Sequence, residues 1–303
     1  MSSLSIFILC HNRPDDARQA IRSALDQNDR EFTLTVSDNS SNDLVQAMVQ
    51  QEFPAIHYVR RNPMLPALDH FNQCIDEASG THFCLFHDDD LMSPDFVQQA
   101  RAAMAAFPDA VAIGCNAHVE SDGALQARPS FLSPHQYDFI ASPSNLGMRY
   151  FGRLQSGIAP FPGYVYHRAL VGDQRFHADE GKYSDVTWLL RLAKRGSIVW
   201  INKPLMIYRM HGGNDGLIES RRDRLRFLAY LKRHRASLGE GLLQDYRCSF
   251  IFKPIAKQDI VSHPARRRLA QRFLQRYRWQ RYARLDTYRA ALRRALVKHS
   301  TRP

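Results

Sequence analysis

Three consecutive carboxylates, Asp88-Asp89-Asp90, follow directly on the apolar segment Phe83-Cys84-Leu85-Phe86 and on His87. Acids this close repel one another unless a cation sits among them. An oxygen-rich group of this kind suits Mg²⁺ or Mn²⁺, with a phosphate completing the shell. Ser93-Pro94-Asp95 then reads as a helix start, with Ser93 as cap, Pro94 at the first position and Asp95 in the first turn. A solvated turn before a helix could carry the same acids. Their place behind a buried strand favours a metal–diphosphate site.

Other residues gain meaning from where they fall. Asp38, in Val36-Ser37-Asp38-Asn39-Ser40, reads alone as a turn former; at a ligand-binding edge it could accept a hydrogen bond from a nucleobase. Asp185, in Tyr183-Ser184-Asp185-Val186-Thr187-Trp188, stands at a helix start. Either it is an ordinary N-terminal acid, or it is a general base aimed at an acceptor hydroxyl. His211 precedes Gly212-Gly213, which would allow close approach to a ligand. An imidazole among carboxylate and phosphate oxygens favours Mn²⁺ over Mg²⁺.

These residues need elements to hold them. Leu4-Ser5-Ile6-Phe7-Ile8-Leu9-Cys10 reads as a buried strand, and Pro14 opens a helix reaching about residue 26. Strands follow over residues 32–36, 56–59, 82–86 and 110–115, alternating with helices over 44–51, 68–78 (ended by Gly80) and 93–107. Near-continuous apolar strands alternating with helices indicate a mostly parallel sheet covered on both faces. Such sheets bind ligands beyond the carboxyl ends of their strands. Four polar clusters fall at those ends: His11-Asn12-Arg13, Asp38-Asn39-Ser40, Arg60-Arg61-Asn62 and Asp88-Asp89-Asp90. Residues 120–162 have weak periodicity and read as a long loop region shaping a substrate pocket. A helix over 185–194, a strand over 198–201 and a turn at Gly212-Gly213-Asn214 follow, and the chain is helical in pattern after about residue 215.

Composition narrows the class. The 303 residues suffice for a full core, and no apolar run reaches the ~20 residues that span a bilayer. The start lacks a basic n-region, so no signal peptide is expected. The five cysteines (Cys10, Cys74, Cys84, Cys115, Cys248) show no CxxC spacing, which points to reduced packing thiols in a cytosolic protein and away from zinc. Residues 266–303 hold thirteen Lys/Arg and one acid, a charge of +12, so the net +11 leaves −1 for the rest. The basicity belongs to this tail. Its apolar stripe (Leu269, Phe273, Tyr277, then Tyr282, Leu285, Tyr288, Leu292, Leu296) is ringed by arginines. Three readings stay open: a helical subdomain packed on the main domain, an interfacial helix drawn to anionic lipid, or nucleic-acid binding, for which no reading motif is present.

Taken together, the set resembles the family 2 glycosyltransferases, inverting enzymes of the GT-A fold. The matching segments are Ser5-Ile6-Phe7-Ile8-Leu9-Cys10-His11-Asn12-Arg13-Pro14, Val36-Ser37-Asp38-Asn39-Ser40-Ser41-Asn42-Asp43, Phe86-His87-Asp88-Asp89-Asp90-Leu91-Met92-Ser93-Pro94-Asp95, Asp185 with its helix, and Tyr208-Arg209-Met210-His211. They occur in the family's order over roughly residues 4–215. The resemblance implies a GT-A catalytic domain over residues 1–215, a Rossmann-like sheet flanked by helices, and a basic helical extension over 216–303. It implies Asp185 as base and Asp38 at the nucleobase. His11, Asn12, Arg13, Arg61, Asp88 and Asp89 would stand around the nucleotide-sugar donor, and Asp90 and His211 would hold Mn²⁺ or Mg²⁺. The acceptor would be a glycan or lipid-linked glycan, at the cytoplasmic side of a membrane that the tail could touch. UDP is the default nucleotide, with dTDP and GDP open. His87 stands where many members have the first acid, and Ser184 and Ser37 replace acids before Asp185 and Asp38. A nucleotidyltransferase is the alternative enzyme class, although His11-Asn12-Arg13-Pro14 is not its Gly-rich loop; a carbohydrate-binding or scaffold protein on this fold is the non-enzymatic one.

Overall fold

The computed structural model describes residues 3–121, 123–125, 135–151, 161–210, 220–243 and 246. Its centre is β1 (Leu4–Cys10), buried at every position because seven residues with apolar side chains or a satisfied Ser5 face protein on both sides. β1 lies between β2 (Phe32–Asp38) and β4 (His82–His87), parallel to both. β3 (His57–Arg60) extends the sheet beyond β2. The register sets Cys10 beside Asp38 and Leu9 beside His87, so the chain leaves β1 between the Asp38 turn and the acid run.

The full sheet has ten strands, in the order β3-β2-β1-β4-β9-β6-β10-β5 along its main path. β9 (Tyr164–His167) is antiparallel to both β4 and β6 (Ala112–Ser121). β10 (Ile198–Met210) runs parallel to β6, and the two-residue β5 (Leu91–Met92) pairs antiparallel with it. Short β7 (Ala124–Leu125) and β8 (Tyr137–Ile140) pair with β6 and β10. The sheet is therefore mixed, although mostly parallel in its N-terminal half.

α1 (Pro14–Leu25) opens on Pro14 with Asp15 and Asp16 in its first turn, and buries Ala17, Ala20, Ile21 and Ala24. These recur at helical spacing, and three alanines let the helix lie close to the sheet. α2 (Leu44–Glu52), α3 (Ala67–Glu77) and α4 (Phe96–Ala106) follow their strands as the alternation predicts. Two boundaries differ. α4 begins after Asp95 instead of at Pro94, because Leu91–Met92 pairs with β10 and holds Ser93 in a turn that accepts from the Phe96 amide at 2.9 Å. Gly80 does not cap α3, which ends at Glu77; a Cβ on Gly80 would sit 2.8 Å from the carbonyl oxygens of both Ser3 and His82. The glycine is there for close strand approach.

The strand expected over 198–201 is the first part of thirteen-residue β10, whose register shifts around Pro204. Proline cannot donate to a ladder, and the irregularity absorbs it. Part of the region read as loop contains β7, β8 and α5 (Pro143–Phe151). Beyond it lie β9 and the four-residue α6 (Arg168–Val171). α7 (Ser184–Leu192) follows a 3-10 turn over Ala178–Tyr183.

The expected domain boundary near residue 215 falls outside the described residues. α8 (Arg221–Arg233) starts at a capping box, in which Ser220 Oγ accepts from the Asp223 amide at 3.1 Å. It stacks Phe227 on Tyr183 at 4.6 Å, with Tyr246 edge-on to Phe227, so these residues join the main core. α9 (Arg235–Leu238) follows, and the basic tail lies outside the described residues. Cys10, Cys74, Cys84 and Cys115 are buried and unbridged; Cys248 is not among the described residues. No helix among the described residues is long and apolar enough to cross a membrane.

Candidate active site

The turn after β1 ties two other turns together. Asn12 has φ 57°, a left-handed conformation that asparagine tolerates better than most residues. That turn lets its amide donate to Ser40 Oγ at 2.8 Å while its side-chain oxygen accepts from the Ser41 amide at 2.9 Å. His11 donates its backbone N–H to Asp88 Oδ2 at 2.9 Å, and its Nδ1 lies 2.8 Å from the Asn39 carbonyl. A carbonyl only accepts, so Nδ1 carries the proton. Arg13 spreads its fork over both Asp88 and Asp89.

The acid run divides in two. Asp88 is turned toward the β1 turn and engaged by His11 and Arg13. Burial pushes its carboxyl up to about 7 against the pull of Arg13 and the His11 amide. Asp89, although also paired with Arg13, groups with Asp90 and His87, and ligand atoms of these three lie within 4.8 Å of one another. Asp90 Oδ1 accepts from the Arg209 amide at 3.0 Å, while Oδ2 is buried with no hydrogen-bond partner. Burial, and secondarily the charge on Asp89, hold the Asp90 carboxyl well above its usual range. A buried, unsatisfied carboxylate oxygen beside a second carboxylate and an imidazole is the donor set that a divalent cation relieves. The residues present fit Mn²⁺ or Mg²⁺, and the histidine tilts the set toward Mn²⁺.

Asp38 ends β2 fully buried. Oδ1 accepts from the amide and hydroxyl of Ser40, and Oδ2 from Tyr58 Oη and Arg60 Nη1, each at 2.6 Å. Arg60 also reaches the Asn42 carbonyl at 2.8 Å. Arg61 is not brought to this group. Its side chain points to the opposite side, where both ends of its fork pair with Glu77 at 2.6 Å and Nε donates to Ser37 Oγ at 3.0 Å. Neighbouring residues at the end of a strand face opposite ways. Arg60 therefore stands on the Asp38 side, and Arg61 braces α3 against the sheet.

Asp185 lies in the first turn of α7, half-buried, and accepts from the Val186 amide at 2.8 Å. Burial raises its carboxyl to about 6. After burial itself, the charges that push the Tyr208 phenol up to about 12 are those of Asp90, Asp89 and Asp185. Acids from two distant parts of the sequence thus act on one ring. His211 lies outside the described residues, one position past the end of β10.

Two residues in this arrangement are not marked as site residues by the sequence. His87 reads as a departure from an acidic pattern, yet it joins Asp89 and Asp90; its signal is its place at the end of an apolar strand. Arg209 clasps the acid loop from β10. Beyond its amide bond to Asp90, Nε donates to the Asp89 carbonyl, Nη1 to Gln19 Oε1 at 2.8 Å, and Nη2 lies 3.5 Å from Asp16 on α1. No pattern in the sequence links position 209 to 16 and 89.

A mixed α/β sheet with a cation-ready acid loop at its carboxyl edge, and the Asp185 helix near it, defines a GT-A type glycosyltransferase fold. Solved structures agree. The structure of TarS residues 1–349 from S. aureus in complex with UDP-GlcNAc superposes with TM-score 0.63 at 12% identity, over 80% of this chain and 71% of that one. The mannosyltransferase PcManGT from Pyrobaculum calidifontis, in complex with GDP-Man and Mn²⁺, gives TM-score 0.52 at 16% identity, over 98% and 87%. The sequence profile of glycosyl transferase family 2 matches residues 5–171, more than half of the chain. The protein belongs to that family. No curated protein matches the sequence.

Proposed function

We propose that the protein is an inverting glycosyltransferase that moves a sugar from a nucleotide diphosphate to a hydroxyl of a glycan or lipid-linked glycan, with a divalent cation assisting. The observation that carries this reading is the cluster of His87, Asp89 and Asp90, whose ligand atoms lie within 4.8 Å of one another around a buried Asp90 oxygen with no hydrogen-bond partner.

His87, Asp89 and Asp90 would hold the cation, with His211 as a further ligand to it or to the diphosphate. When bound, the cation neutralises the leaving diphosphate. The protein's own groups do the rest. Asp185 takes the proton of the acceptor hydroxyl, and a carboxyl with its pKa near 6 is ionised at neutral pH yet basic enough for the task. The freed oxygen attacks the anomeric carbon in line, the bond to the phosphate oxygen breaks, and the electron pair leaves with the diphosphate. One displacement inverts the centre. His11, Asn12 and Arg13 lie where the diphosphate would meet the β1 turn. Asp38, with Tyr58 and Arg60, forms the edge assigned to the nucleobase. The catalytic unit is assigned to residues 1–215 and the helical extension to 216–303. Residues 266–303 are assigned a peripheral contact with anionic lipid, which suits a lipid-linked acceptor.

UDP is the first nucleotide to test, in line with the UDP-GlcNAc held by TarS, and GDP the second, in line with the GDP-Man held by PcManGT. A thermal-shift panel of UDP, dTDP and GDP with and without Mn²⁺ tests the donor class. A nucleotide at a hundred times its Kd stabilises the fold by about 2.7 kcal/mol. One nucleotide should shift the protein by several degrees, only with metal, and Asp90→Asn should abolish the shift. Stabilisation by every nucleotide without metal would sink the cation assignment.

A further inference from the structure

Among the described residues a cavity lies against α7 and α8, and no residue of the acid run lines it. It has a volume of about 390 Å³ and is walled by the 3-10 turn over Ala178–Tyr183, by α7 and by α8. Five of its lining residues are basic in type: His177, Arg191, Arg226, Arg233 and His234. Arg226 and Arg233 are two turns apart on α8, with Tyr230 between them, so one helix face supplies both. Gly181, at φ 66°, leaves the room that Arg226 occupies; a Cβ there would sit 3.1 Å from Arg226 Nη1.

Two acids also line the wall, Asp179 and Glu180, and Glu180 is already engaged within the protein. One oxygen pairs with Arg191 Nη1 and the other accepts from Thr187 Oγ1. Arg191 also donates Nη2 to the Arg175 carbonyl at 2.8 Å, yet its buried Nε has no acceptor. Arg226 reaches Asp223 only at 4.0 Å. Three arginines against Asp179 and Glu180 leave the lining net positive. His234 is held below its usual pKa first by burial and then by Lys194 and Arg233, with Arg191 adding to them against Glu180 alone. One wall is aromatic: the Tyr230 and His234 rings lie 4.5 Å apart at 49°.

Cations flanking a ring pair, with room for a monosaccharide, together match one ligand chemistry. We infer that this cavity binds an anionic saccharide, a sugar bearing a phosphate or a carboxylate. Arg226 and Arg233 take the anion and Tyr230 with His234 receive the ring. Arg191 stands six residues past Asp185 on α7, about 9 Å further along the helix axis. A glycan whose hydroxyl meets Asp185 could therefore place a neighbouring acidic unit here. The acceptor role rests on the function proposed above; the binding itself does not.

The test is calorimetric titration of the full chain with glucose 6-phosphate, glucuronate, glucose and inorganic phosphate. Glucose 6-phosphate or glucuronate should bind at least tenfold tighter than glucose, and which of the two binds tells a phosphate-bearing from a carboxylate-bearing acceptor. The double variant Arg226→Gln/Arg233→Gln should lose at least tenfold, and so should Ala229→Trp, which fills the cavity from an exposed position on α8. Both should retain the Mn²⁺–nucleotide thermal shift, which reports an intact fold and donor site. Asp185→Asn should bind these ligands unchanged, so loss of transfer and loss of this site are read separately. Equal binding of glucose, binding of neither anionic sugar, or full binding by both cavity variants would overturn the proposal. Inorganic phosphate binding as tightly as glucose 6-phosphate would reduce the site to a bare anion site and overturn the saccharide assignment.

Discussion

Asp185→Asn should make the protein inactive and more stable at the same time. The Asp185 carboxyl titrates near 6 in the fold because burial disfavours its charge, against an ordinary value of 3.8. That rise corresponds to about 3 kcal/mol by which the ionised carboxylate destabilises the folded state at pH 7. Asparagine keeps the shape and carries no charge, so at pH 7 the variant should gain up to about 3 kcal/mol. At this chain length that is a rise in melting temperature of up to about 5 °C. The sign with pH is fixed. The folded pKa is raised, so the cost is complete above pH 6, shrinks as pH falls from 6 to 4, and is gone below the unfolded pKa. The stability gap between variant and wild type should close over that window in paired melts at pH 7, 6, 5 and 4. Activity should show the mirror image: wild-type kcat/KM falls about tenfold per pH unit below pH 6 because only the ionised form is a base, and the variant loses about 10²–10⁴-fold at every pH. A variant that melts with the wild type at pH 7, or a wild-type rate that stays flat from pH 7 to 5, would refute both the burial argument and the assignment of the base.

Three substitutions test the edges of the site. Arg61→Ala should destabilise the fold by about 1–3 kcal/mol in urea unfolding, because it leaves Glu77 and Ser37 without their buried partner, while donor KM changes less than twofold. Arg60→Ala should instead raise donor KM about tenfold, equivalent to about 1.4 kcal/mol, on top of a destabilisation of about 1–3 kcal/mol from leaving buried Asp38 without its guanidinium. Gly80→Ala should cost about 1–3 kcal/mol in stability with kcat unchanged, since the methyl meets two backbone oxygens away from the site.

The N-terminal half is largely legible in sequence because its signals are local. β1 and β4 are unbroken apolar runs, Pro14 marks a helix start, and the acids follow the strand that presents them. The phase of a strand end is not local: nothing in Arg60-Arg61 says which of the two faces Asp38, and in the fold it is Arg60, while Arg61 pairs with Glu77. The region from 135 to 210 is harder for a different reason. β9 is four residues long, α6 one turn, and β10 hides its continuity behind an irregularity at Pro204. Short or interrupted elements are decided by the partners they meet in space, and their periodicity carries little of that information. Gly80 carries the same lesson on a small scale: a glycine after a helix suggests a cap, yet the strand arriving from Ser3 fixes its identity. His87 looks like a lapse in an acidic motif, yet it sits among the acids.

The clasp between Asp90 and Arg209 closes a loop of 119 residues. Closing long loops is slow and entropically unfavourable until distant strands have docked. The acid run is synthesised early, but the strand that orders it is nearly the last of the sheet to be made. During synthesis the three carboxylates therefore wait beside β4 without their brace, and the cation site takes shape only once β10 has paired with β6. A truncated chain ending before β10 would keep the Asp38 edge and lack the Arg209 clasp on Asp90. Completion of β10 is thus what fixes the acid run in its folded form.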